Sequence, residues 1–173
     1  MKISEAGLQR IRDREALRLR AYRDSVGKWT IGYGTTTYPD GRHVRWDDLA
    51  TLAEAEAWLR YKVSEFEQAV LGALPAVPLN QPMFDALVSL AYNIGGAAFK
   101  RSTLARMLNE GRYIEAQIEF DRWVNAGGEP VAGLVNRRNA EQADFNDGIR
   151  QVLADDPDML ALFNRFVAET NLG

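Results

Sequence analysis

The sequence predicts an α+β fold, in which a small antiparallel β-sheet lobe near residues 16–50 is joined by a long helix to a larger helical lobe. Three observations carry this. Apolar and polar residues alternate through residues 17–22 and again through residues 29–34, the period of strands. Asp24, Ser25, Val26 and Gly27 supply turn chemistry between those runs. From Thr51 onward the apolar residues recur at helical spacing instead.

Taken in order, residues 4–15 place Leu8, Ile11 and Glu15 at i, i+3 and i+7, so a carboxylate falls on the inward face of a first helix. The hairpin of residues 17–34 follows. A third strand or loop is expected through residues 35–46, where Pro39, Asp40 and Gly41 mark another turn. Thr51 and Glu54 form a capping box, and Leu52, Ala55, Leu59, Val63, Phe66 and Val70 carry the long helix to about residue 73, where Pro75 and Pro78 end it. The segment from Asn80 to Gly95 is apolar all round, the pattern of a buried central helix. Shorter helices are expected near residues 102–109, 113–124 and 134–147. The tail from Asp156 adds one more, with Met159, Leu162, Phe163, Phe166 and Val167 on one face and docking onto the helical lobe expected for it. The whole of residues 1–173 reads as one domain, with helix 4–15 and residues 75–173 forming the helical lobe and a cleft between the lobes.

Composition narrows the function classes. Of 173 residues, 46% are hydrophobic and 26% charged, the balance of a folded globular chain. With no cysteine and one histidine, a disulfide framework and a thiolate or histidine metal site are excluded, and neither cofactor nor metal is expected. A net charge of −3 argues against a nucleic-acid partner. The charge is uneven, however: residues 1–50 hold ten Lys/Arg against seven Asp/Glu, and residues 51–173 hold eleven against seventeen. Six arginines between Arg10 and Arg23 make a local basic patch, which either steers an anionic polymer or is a solvated face. The sequence has no apolar run of signal-peptide or spanning type, so it predicts synthesis in the cytoplasm, no stable membrane association and a separate route to any external target.

Glu15 and Asp24 are the candidate catalytic pair. Glycoside hydrolysis needs one carboxyl that keeps a proton for the leaving oxygen and one that stays ionised to activate water. Glu15, inward-facing beside Ala16 and Leu17, is placed for desolvation, while Asp24 sits in a wet turn among backbone amides. Thr30 lies on the facing strand, where its hydroxyl can help hold that water. These residue types are common, and spacing alone does not separate an active site from a helix-end acid, a turn acid and a strand threonine.

The spacing E-x8-D-x5-T at Glu15, Asp24 and Thr30, set in "ALRLRAYRDSVGKWTIGYG", resembles the active-site segment of the phage-type lysozymes, glycoside hydrolase family 24. Two further blocks, "ALVSLAYNIGGAAFKRSTLARMLNEG" and "EFDRWVNAGGEPVAGLVNRRNAE", are similar to that family's central and C-terminal helices. The resemblance covers about residues 4–147. It implies a lysozyme-like fold and an endolysin that hydrolyses the β-1,4 bond between N-acetylmuramic acid and N-acetylglucosamine in bacterial peptidoglycan. Glu15 would be the general acid, with Asp24 and Thr30 positioning the water for an inverting reaction. Tyr33 and Gly34 at the sheet rim, Tyr92 and Asn93 on the central helix, and Arg137 are the expected substrate contacts, with core packing open for Tyr92 and a structural ion pair for Arg137. A monomer held in the host cytoplasm until a holin opens the membrane completes the picture.

One departure stands out. Where many relatives read "GYGHT", this chain has "GYGTTT", so Thr35 replaces a histidine, and His43 is expected on the surface. Two other activities remain: a lytic transglycosylase, which needs no positioned water, and a catalytically silent peptidoglycan-binding module.

Overall fold

The computed structural model describes residues 1–170, which pack as two compact units. Residues 4–66 form the first; residues 1–3 with residues 67 onward form the second.

The first unit begins with α1, Glu5–Arg14, whose N-cap Ser4 accepts a hydrogen bond from Gly7 N at 3.0 Å. Leu8 and Ile11 are its buried face. Strands β1, Arg18–Arg23, and β2, Trp29–Gly32, pair antiparallel with Tyr22 opposite Thr30 and Arg23 opposite Trp29. Ala21, Ile31, Tyr38 and Val44 form the core beneath this hairpin, with Trp29, Ala50 and Trp58 packed against it. Of the third strand or loop expected through residues 35–46, the structure has the loop, with isolated bridges from Ile31 to Thr35 and Thr37 to His43. Pro39 lacks an N–H, Gly41 turns at φ +87°, and Asp40 Oδ1 accepts from Arg42 N, so local turns take the hydrogen bonds a strand would need.

Helix α2, Leu52–Ala73, starts in the first unit and ends in the second. Its capping box is formed: Thr51 N and Oγ1 both donate to Glu54 Oε2 at 2.8 Å, and Glu54 N donates to Thr51 Oγ1 at 3.2 Å.

The second unit is built on α3, Gln81–Ile94, buried from Met83 to Ala91 and capped by Asn80. Gly95, at φ +91°, ends it and starts the short α4, Gly96–Lys100. Next come α5, Thr103–Asn109, and α6, Tyr113–Ala116, which tightens into a 3₁₀ segment, Gln117–Trp123. A two-residue hairpin, β3 Asn125–Ala126 and β4 Glu129–Pro130, turns on Gly127 and Gly128. Helix α7, Ala132–Val152, packs on α3 and is longer than the 134–147 expected. Helix α8, Pro157–Thr170, buries Phe163 and Val167 within this unit, whereas Met159 and Leu162 of the expected stripe are exposed.

Candidate functional site

The hairpin turn is built around one carboxylate. Asp24 N donates to Lys28 O at 3.0 Å, Gly27 N to Asp24 O at 2.9 Å, and Gly27 takes φ +80°. Asp24 Oδ1 accepts from Val26 N at 3.0 Å and Lys28 N at 2.8 Å, so backbone amides fix that oxygen. The other oxygen, Oδ2, lies 3.5 Å from Thr30 Oγ1. Thr30 is buried, and its single hydroxyl proton has a nearer acceptor in Lys28 O at 3.1 Å. Its lone pairs and Asp24 Oδ2 thus form two acceptors side by side. A water donating both protons to them would turn its own lone pair outward, the arrangement a water nucleophile needs.

Glu15 is the C-cap of α1, where the backbone turns to φ −104° and ψ 128° and its N–H closes the last turn on Arg12 O. It is therefore fixed at a helix end and not within the helix. It is half-buried, and its Oε2 lies 4.0 Å from the place a side-chain carbon on Gly34 would occupy. Gly34 itself has φ +84°, a conformation glycine reaches without strain. Lys62, on α2, donates to Gly34 O at 3.4 Å. Burial pushes its amine below the usual lysine range, against the opposing pull of the Glu15 charge. A groove of about 330 Å³ begins at Gly34 and runs past Thr35, Thr36 and Thr37 beneath Trp58, Tyr61 and Lys62.

The structure thus groups Asp24 with Thr30, and Glu15 with Gly34 and Lys62. Tyr33 is buried, not an open rim residue. Tyr92, Asn93 and Arg137 belong to the second unit. Tyr92 is half-buried, and exposed Asn93 accepts from Arg138 Nη1 at 3.1 Å. Arg137 is buried, its Nε donating to Glu141 Oε1 at 3.0 Å and its Nη2 to Ser89 O at 3.1 Å. Lys62 is the residue sequence reasoning missed; its signal was a cation three residues after Leu59 and four before Phe66, on the inward stripe of α2.

Residues 12–141, which contain Glu15, Asp24 and Thr30, match the family model described as phage lysozyme. The chain belongs to the phage lysozyme family. It is 43% identical to an endolysin of Acyrthosiphon pisum secondary endosymbiont phage 1, over 84% of this chain and 98% of that one. It is 45% identical to an endolysin of Bacillus phage PZA over 86% of this chain, which spans 56% of that longer relative. Among solved structures, an endolysin from Escherichia coli O157:H7 phage FAHEc1 superimposes with a TM-score of 0.75 at 39% identity, covering 84% of this chain and 93% of that one. These neighbours give the lysozyme family member its lysozyme-like fold. The family match ends within α7, so the last turns of α7 and all of α8 lie beyond it. Among the described residues no helix is long and apolar enough to cross a membrane.

Proposed function

We propose that this phage lysozyme family member is an endolysin that hydrolyses the β-1,4 bond between N-acetylmuramic acid and N-acetylglucosamine in bacterial peptidoglycan. The observation that carries this reading is the paired acceptor of Asp24 Oδ2 and Thr30 Oγ1, with the other aspartate oxygen fixed by two amides. A group poised to orient water has a use in hydrolysis and none in transglycosylation, where the sugar's own hydroxyl attacks.

In this mechanism Glu15 gives its proton to the leaving glycosidic oxygen. Asp24 and Thr30 hold the water, Asp24 takes the proton it sheds, and attack from the opposite side of the sugar inverts the anomeric carbon. Inversion requires a carboxyl separation of about 6.5–9.5 Å to make room for that water. Gly34 bounds the sugar near Glu15, while Arg137 holds α7 against α3 through Ser89 O. The enzyme works as a monomer, needs no cofactor, and waits in the host cytoplasm for a holin to open the membrane.

Product analysis on purified peptidoglycan tests the reading. Reducing N-acetylmuramic acid ends, formed first as the inverted anomer, are expected; anhydromuramyl ends would mean transglycosylation. Glu15→Gln is expected to keep the fold and abolish clearing of permeabilised cells. Undiminished clearing by that variant would refute the mechanism, and an inert wild type would leave only a binding module.

A further inference from the structure

The first unit carries five cations that have no ion-pair partner among the described residues: Arg18, Arg20, Arg23, Lys28 and Arg45. Arg18 and Arg23 lie over the rings of Tyr22 and Trp29, at 4.9 and 4.7 Å from the centroids. Arg42, by contrast, is paired with Asp40. Apolar side chains stand exposed among these cations: Val26 at 84%, Trp46 at 70% and Leu49 at 64%.

Backbone pairing places them together. Ala21 N donates to Asp48 O, Ala50 N donates to Leu19 O, and Leu49 pairs opposite Arg20, so residues 48–50 run antiparallel along the edge of β1 away from β2. The turn that precedes them, closed by Asp48 N on Arg45 O, therefore falls at the Arg23 end of β1, as does the hairpin turn. Trp46 and Val26 are the tips of these two neighbouring turns. Leu49 and Arg20 continue the surface along the sheet, and exposed Asp47 is the one acid of the second turn outside its internal hydrogen bonds.

Exposed apolar residues scattered singly are ordinary, but apolar tips clustered with unpaired cations are not. We propose that this corner of the sheet is a docking surface for an anionic phospholipid bilayer. Arginines attract the phosphate headgroups, while a tryptophan and aliphatic tips enter the boundary between headgroups and acyl chains. A sugar-phosphate polymer or nucleic acid would satisfy the cations and leave Val26, Leu49 and much of Trp46 in water, which is why the bilayer is favoured. The attachment is peripheral and salt-dependent, and no helix needs to insert.

The test is sedimentation of the full chain with vesicles of phosphatidylcholine containing phosphatidylglycerol, against pure phosphatidylcholine, at low and at roughly 0.5 M salt. Binding to the anionic vesicles alone, lost at high salt, is expected, with a blue shift of tryptophan emission. Arg20→Ser with Arg45→Ser should weaken it at least about tenfold. Trp46→Ala should weaken it and remove most of the shift, while circular dichroism stays unchanged. As a control, Arg106→Ser, in the second unit, should leave binding unaltered. No binding to anionic vesicles, equal binding to neutral ones, or binding indifferent to the Arg20, Arg45 and Trp46 substitutions would overturn the proposal. So would stronger retention on an anionic polysaccharide phosphate that depends on the arginines but not on Trp46.

Discussion

Asp24 Oδ1 is committed to two backbone amides, and the acceptor beside Thr30 is Oδ2. Asp24→Asn keeps an oxygen for those amides but removes the charge, so it should retain the fold and lose roughly 10²–10⁴-fold in turnover of peptidoglycan. Thr30→Ala removes one of two acceptors and should cost less, about tenfold; the opposite order would mean that the roles are exchanged. A second acid in this unit governs stability and not chemistry. Arg45 N and the Tyr38 hydroxyl both donate to Asp48 Oδ2 at 2.8 Å and hold its carboxyl below the usual range. A lowered folded value contributes stability above about pH 4 that is lost as pH falls through it, so thermal melts should fall below pH 4 less steeply in Asp48→Asn than in the wild type. Burial and the Asp48 charge push Tyr38 upward, so its contribution is complete below about pH 10 and lost above it. The turn acid and strand threonine were legible because their chemistry is local. Lys62 was not, because its meaning comes from Gly34 O, twenty-eight residues away.

Helix α7 shows how close packing overrides local preference. A side-chain carbon on Gly148 would lie 2.5 Å from Met83 Cγ and 2.6 Å from Asn80 Oδ1, while Gly133 in the same helix has nothing within 4 Å. Alanine favours a helix interior over glycine by about 1 kcal/mol. Gly148→Ala should nevertheless destabilise by about 1–3 kcal/mol, since Asn80, which caps α3 and donates to Gly148 O, has to move. Gly133→Ala should be neutral or stabilising, and denaturant unfolding of the two variants checks the difference in sign. Periodicity and caps are written in adjacent residues, which is why the hairpin, α3 and the capping box of α2 could be read from sequence. The extra turns of α7 and the one-turn α4 could not. The first has a weak apolar stripe, and the second is set by Gly95 at φ +91° and the burial of Phe99. The hairpin at Gly127 and Gly128 carries a turn signal, but strands of two residues are too short for an alternation of apolar and polar residues to show.

Across the molecule, charge is the property that sequence reading distributes least well. Arg137, for which the sequence left a substrate contact and a structural ion pair open, is buried in an ion pair with Glu141, and Arg138 joins it, with Arg138 Nη2 2.8 Å from Glu141 Oε2 and Ser89 Oγ donating to Glu141 Oε1. Glu141→Ala would leave two guanidinium groups buried without their shared carboxylate, and should lower the unfolding free energy by about 3–5 kcal/mol in urea titrations. The fold class and the position of α8 were readable because apolar stripes average over many residues. Of the ionic cluster, an ion pair at Arg137 was one open alternative, but its partners Arg138 and Glu141 and their contacts to Asn93 and Ser89 on α3 are not encoded in spacing. One further feature concerns the order in which the chain emerges from a ribosome. Ile3 N donates to Glu67 Oε1 at 2.8 Å, and Gln81 Nε2 donates to Lys2 O at 2.9 Å, so residues 1–3 belong to the second unit. Residues 4–66 can begin to fold as they appear, while the segment made before them has to wait for partners translated more than sixty residues later. A fusion placed ahead of Lys2 is therefore felt in the half of the molecule that is synthesised last.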